Sequence, residues 1–101
     1  MNKFLLPIIL LGVFTAGTQA VAADAAAGKV KSVQCQACHG PEGISINPLW
    51  PNLAGQKDAY MIKQLKAFRD GSRKDPLMNG QAANLSDADI ENLAAHFSSL
   101  K

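Results

Sequence analysis

The residues most able to do chemistry in this chain are consecutive: Cys35-Gln36-Ala37-Cys38-His39. Two thiols one helical turn apart can each add across a vinyl group of a haem, while the adjacent imidazole reaches the iron from the same side of the macrocycle. This is the attachment pattern of a c-type haem. The pattern is short, and a Cys-x-x-Cys pair also serves as a redox-active dithiol, a small structural disulfide or half of a zinc site. The rest of the chain has to discriminate among these.

A haem iron has a second axial position, and the chain offers three methionines for it. Met1 belongs to the start of the chain, discussed below. Met61 lies on an apolar stripe and reads as core. Met78 is different, lying in an irregular stretch between Pro76 and Gly80, far enough from His39 to approach the opposite face of a haem. A thioether is a soft ligand that favours the reduced metal, and His/Met ligation raises the potential. His96, the other histidine, falls beside Asn92 and Ser99 and away from the Ile90, Leu93 and Phe97 face, so it reads as a solvated residue. A zinc site is disfavoured because His39 directly follows Cys38, which does not match common ligand spacing. No βαβ pattern supports a thioredoxin-like site. A disulfide between Cys35 and Cys38 would close too small a loop to explain the fold.

These residues need elements to position them. Residues 24–34 read as an alanine-rich helix with Val30 and Val33 on one face, running in phase into Cys35. Gly28 costs about 1 kcal/mol inside a helix, which makes sense where another helix crosses closely. After His39 comes a loop of about 17 residues with Pro48 and Pro51 among turn formers, long enough to wrap an object. Trp50 and Leu53 are its candidates for covering a haem edge. Residues 57–70 form the next helix, with Met61, Ile62, Leu65 and Phe68 as its core stripe and Gly71 as its stop. Residues 72–85 are irregular, with Pro76 blocking helix continuation and Gly80 permitting unusual dihedrals. The last helix starts at Ser86 and carries Ile90, Leu93, Ala94, Phe97 and Leu100 at helical spacing.

The start of the chain looks separate. Lys3 precedes a mostly apolar run at residues 4–16, too short to span a bilayer and interrupted by Pro7, which fits a signal-peptide core. Cleavage is expected after Ala23, with Thr18-Gln19-Ala20 as the other small-residue site. Residues 1–23 are therefore expected to be removed, leaving residues 24–101 as one domain of 78 residues. The formal net charge then falls from +2 to about +1. A near-neutral chain without a basic run of interleaved aromatics is a poor nucleic-acid binder. Domains of this size usually need a disulfide, a metal or a cofactor to complete their core, and a covalently held haem would supply it. Lys57, Lys63, Lys66, Arg69, Arg73 and Lys74 concentrate basic charge mid-chain, either as a solvated face or to steer an acidic redox partner.

Residues 24–101 resemble a class I monohaem cytochrome c of the small bacterial periplasmic type, similar to cytochromes c5, c553 and c554 and to single domains of cytochrome c4. The segments that carry the resemblance are Cys35-Gln36-Ala37-Cys38-His39-Gly40, Pro51-Asn52-Leu53-Ala54-Gly55-Gln56, Asp75-Pro76-Leu77-Met78, and Leu85-Ser86-Asp87-Ala88-Asp89-Ile90 with Leu93-Ala94-Ala95-His96-Phe97. The resemblance implies an all-α fold of three main helices and two long loops around one haem c. It implies thioether links from Cys35 and Cys38, His39 as proximal and Met78 as distal ligand, and a Pro51 carbonyl that accepts the proximal imidazole N–H. It also implies that the first and last helices cross with Gly28 near Ala94 and Phe97.

The function that follows is periplasmic one-electron transfer between redox proteins, such as a membrane reductase or oxidase or a soluble reductase. The carrier would be a monomer or weak dimer, with no stable membrane insertion once processed. The rival is a small haem c enzyme or sensor that binds peroxide or another small ligand at an open or displaceable distal site.

Overall fold

The computed structural model describes residues 4–5, 7–12 and 22–101. The apolar run expected at 4–16 falls only partly among them, and the Thr18-Gln19-Ala20 site falls outside them. The described part of that run has no helix or strand, and Phe4, Leu5 and Ile8 through Leu11 are exposed, so it contributes nothing to the core. Among the described residues the chain is all-α, with no strand. Its elements are α1 (Ala25–Lys31), α2 (Val33–His39), α3 (Asp58–Asp70), α4 (Met78–Ala82) and α5 (Asp87–Ser99). None of these helices is long and apolar enough to cross a membrane.

The first helix starts where the Asp24 carboxylate accepts from the Ala26 and Ala27 N–H groups at 2.9 and 3.1 Å. The single helix expected over 24–34 is in fact two, divided at Ser32. The Ser32 hydroxyl, fully buried, donates to the Lys29 carbonyl at 2.6 Å, and this local bond competes with regular helical hydrogen bonding. Val30 and Val33 are both exposed, so the face they share looks away from the core.

Gly28 marks the closest approach in the fold. A Cβ there would lie 1.9 Å from the Asn92 carbonyl oxygen and 3.0 Å from the His96 Cβ. The expected crossing of first and last helices is present, and the atoms nearest Gly28 belong to Asn92 and His96 where Ala94 and Phe97 were expected. His96 is correspondingly buried, where a solvated residue was expected. The Asp24 N–H donates to Asn92 Oδ1 at 2.8 Å and secures the start of α1 to α5.

Met61, Phe68, Leu85, Ile90, Leu93, Ala94 and Phe97 form the buried core between α3 and α5, joined by Ala82 of α4. Gly71, with φ +84°, ends α3 as expected. At the start of α5, Ser86 Oγ accepts from the Asp89 N–H while the Asp89 carboxylate accepts from the Ser86 N–H, both at 3.0 Å. Residues 72–85 are not wholly irregular, because α4 begins at Met78 in their middle. Gly80 is an ordinary helical residue there, with no positive φ and open space where its Cβ would be.

Candidate haem site

α2 presents Cys35, Cys38 and His39. Both thiols are free and half-buried. Burial, with Cys38 beside it, pushes the Cys35 thiol above its ordinary range against the opposing pull of Lys31. A redox-active dithiol needs the reverse, a depressed thiol pKa. His39 is buried, and its Nδ1 lies 2.8 Å from the Pro51 carbonyl oxygen. A carbonyl can only accept, so Nδ1 carries a proton and Nε2 is the ring nitrogen left to face a metal, the orientation of a ligand held by an outer partner.

Pro51 reaches His39 because the loop over residues 40–57 closes on itself. Gly40, at φ +87°, turns the chain so tightly after α2 that a Cβ would lie 2.0 Å from the Ile44 carbonyl oxygen. The Gly43 carbonyl then accepts from the Leu53 and Ala54 N–H groups at 2.7 and 3.0 Å, closing the base of the loop. Asn52 Oδ1 accepts from the Ser45 N–H across it at 2.8 Å, and the Gly55 N–H donates to the Phe97 carbonyl of α5 at 2.9 Å. Prolines and glycines that forbid regular structure thus build a loop fixed by its own backbone.

Cys35, Leu53 and Met78 pack against the same α3–α5 core cluster, so the structure brings these three candidates together. Trp50 stands apart. It is half-buried and lines an open hollow with Cys38, Pro48, Ile44 and Ile46. Met78 is half-buried at the first position of α4, and its N–H donates to Asp75 Oδ1 at 2.9 Å. The Leu77 N–H donates to the same oxygen at 2.9 Å. These two donors, that of Met78 foremost, hold the Asp75 carboxyl below the usual carboxylate range. Asp75 and the neighbouring Asn79 were not among the candidate residues. Their only sequence signal is that each can bond to nearby backbone in a turn.

The arrangement suits haem c. It offers two free thiols on one helix, an imidazole already in a ligand's orientation, and a thioether from a distant element packed on the same core. Among the described residues, no three His, Cys, Asp or Glu side chains converge to hold a metal ion directly. The site therefore defines a small all-α haem c protein.

The sequence profile of the cytochrome c family matches residues 19–101. Cytochrome c4 of Pseudomonas aeruginosa is 45% identical over 101 residues, covering all of this chain and 50% of that relative. Cytochrome c-554(548) of Halomonas halodenitrificans is 48% identical over 81 residues, covering 77% of this chain and 98% of its own length. The reduced recombinant cytochrome c4 from Pseudomonas stutzeri superposes with a TM-score of 0.75 at 45% identity, over 79% of this chain and 47% of that one. The chain belongs to the cytochrome c family, and its cofactor is haem c. It spans about half the length of the cytochrome c4 relatives it matches.

Proposed function

We propose that this chain is a periplasmic one-electron carrier whose haem iron is held between His39 Nε2 and the Met78 thioether. The observation that carries the reading is the hydrogen bond from His39 Nδ1 to the Pro51 carbonyl, since it fixes the ring plane. The bound haem supplies the ferric/ferrous couple.

The protein's residues do the rest. Cys35 and Cys38 hold the macrocycle as thioethers and never cycle as a dithiol. The Pro51 carbonyl accepts a hydrogen bond from His39 Nδ1 and so orients the ring as a ligand. Met78 would bring a soft sulfur that favours the reduced state, and Leu53 would help cover the haem edge. With His39 and Met78 as its ligands, the iron would be left no position for a substrate. A cage held by backbone hydrogen bonds changes little between oxidation states, which suits a carrier.

The same reading makes residues 1–23 an export signal and residues 24–101 the working domain. Its partners are redox proteins with acidic docking faces. Arg69 donates to Asp87 and the Leu85 carbonyl, and Arg73 donates to Gln64 and stacks on Phe68, so these two serve the fold. Lys57, Lys63 and Lys74 are exposed and left to steer an encounter.

Visible spectroscopy of the exported protein tests the ligand pair. A low-spin ferric spectrum with the weak sulfur-to-iron charge-transfer band is expected, together with a lowered potential and new binding of small ligands in Met78→Ala. A high-spin ferric spectrum, or an unchanged potential in that variant, would remove Met78 from the iron. Reoxidation of the reduced protein by candidate membrane oxidases would then identify the acceptor.

A further inference from the structure

The helix that carries Met78 cannot hold itself. α4 has five residues, far below the length at which a helix is stable from its own backbone bonds. It also has little apolar anchorage. Ala82 is buried and Met78 packs partly buried on the core, but Leu77 is exposed and Gly80 faces open space. What fixes its first turn is polar. Asp75 Oδ1 takes the N–H groups of Leu77 and Met78, two of the donors that every helix start leaves unpaired.

Asn79 completes the arrangement from the other side of Met78. Its Oδ1 accepts from the Asp75 N–H at 2.8 Å, and its Nδ2 donates to the Phe68 carbonyl at 2.9 Å and the Arg73 carbonyl at 2.8 Å. The Asn79 backbone N–H donates in turn to the Asp75 carbonyl at 3.1 Å. One amide therefore uses both N–H donors and its oxygen to tie the Met78 turn to the C-terminal end of α3, which is anchored in the core through Phe68.

We infer that Asn79 and Asp75 are positioning residues for Met78: together they lock the turn that carries its thioether, and so set how readily an outside ligand displaces that sulfur from the iron. The inference rests on the His/Met reading above. With the lock intact, Met78 stays at the iron and the chain is a closed carrier. With the lock loosened, the same sequence becomes a protein whose iron accepts small molecules. Whether this chain behaves as a carrier or as a ligand binder is thus decided by polar side chains that act through the Met78 turn.

Imidazole is the probe, titrated into the ferric holoprotein at pH 7 and followed by loss of the sulfur-to-iron band. Asn79→Ala is expected to bind imidazole at least tenfold more tightly than the unaltered protein. Alanine is the better helix former, so a gain in ligand affinity cannot come from a weaker local helix. Asp75→Ala is expected to act in the same direction, whereas Asp75→Asn keeps an oxygen facing the two N–H groups and stays within about threefold of the unaltered protein. The Asp75 pair keeps the test open if Asn79→Ala fails to fold.

Imidazole affinity within twofold of the unaltered protein in both alanine variants, with Met78→Ala binding strongly, would overturn the lock while leaving the ligand pair intact. Absence of the sulfur-to-iron band from the unaltered protein would remove Met78 from the iron, and the lock with it.

Discussion

The crossing of α1 over α5 and the α4 turn that carries Met78 both join parts of the chain that are distant in sequence, but by opposite means. The crossing works by shape. Gly28 lets two backbones approach so closely that no side chain fits between them. The turn works by polar pairing, through Asp75 and Asn79, around a glycine that nothing approaches. Shape tolerates no added atoms, whereas a polar lock tolerates added bulk but not a lost donor or acceptor.

The same substitution at two glycines breaks or sharpens this contrast. Gly28→Ala places a methyl 1.9 Å from the Asn92 carbonyl oxygen, which only separation of the helices can relieve. Overpacking of this kind costs about 3 kcal/mol, which outweighs the roughly 1 kcal/mol that alanine gains in helix propensity. Thermal unfolding of the holoprotein should show a net loss of about 2 kcal/mol. Gly80→Ala meets nothing and keeps only the propensity gain, so a rise of about 0.5–1 kcal/mol is expected in the same measurement. Equal effects of the two changes would mean that the crossing is looser than the structure has it.

The smallest effect is expected from acid. His96 lies buried at the crossing, its Nε2 without a hydrogen-bond partner among the described residues. Desolvation, with Lys29 nearby, lowers its pKa below the ordinary value. The folded protein therefore binds this proton less readily than the unfolded chain. The contribution is present in full above about pH 6.5, the unfolded value, and is lost as pH falls from there through the folded pKa. Denaturant midpoints measured downward from pH 7.5 should decline in that window, and the decline should be shallower in His96→Gln. A midpoint that does not fall would place His96 in water.

The helical placement of the Cys35–His39 pentapeptide, the core stripe of α3, the Gly71 stop and the Ser86 start were all legible because each is a local pattern. Spacing, period or a single special residue announces it. The break at Ser32 was not legible, since a serine within an alanine-rich run leaves the helical period undisturbed. α4 was missed because five residues between Pro76 and a polar stretch carry no period at all. His96 was misplaced for a different reason: the apolar face of α5 was read correctly, but a second face is buried by a glycine on another helix, and a glycine contributes nothing to hydropathy. Asn79 joins three carbonyl and amide groups that lie on separate turns, and no one-dimensional pattern encodes such a junction. The Pro51 carbonyl contact came from resemblance to a family, not from the residue itself.

The proposed cleavage after Ala23 would bear on this architecture through a single hydrogen bond. The Asp24 N–H that donates to Asn92 Oδ1 is an ordinary peptide amide in the full-length chain. A cut after Ala23 makes it the α-ammonium of the finished protein, a charged donor that forms a stronger bond to the same oxygen. The new positive charge sits at the positive end of α1, where it is opposed by the helix dipole but faces Asp24's own carboxylate, already turned back as the cap. A cut after Ala20 leaves the amide unchanged. On the first of these proposed cuts, the joint between α1 and α5 would acquire a titratable ammonium group. On the proposed reading, a cut after Ala23 would also change how firmly α1 is held to α5.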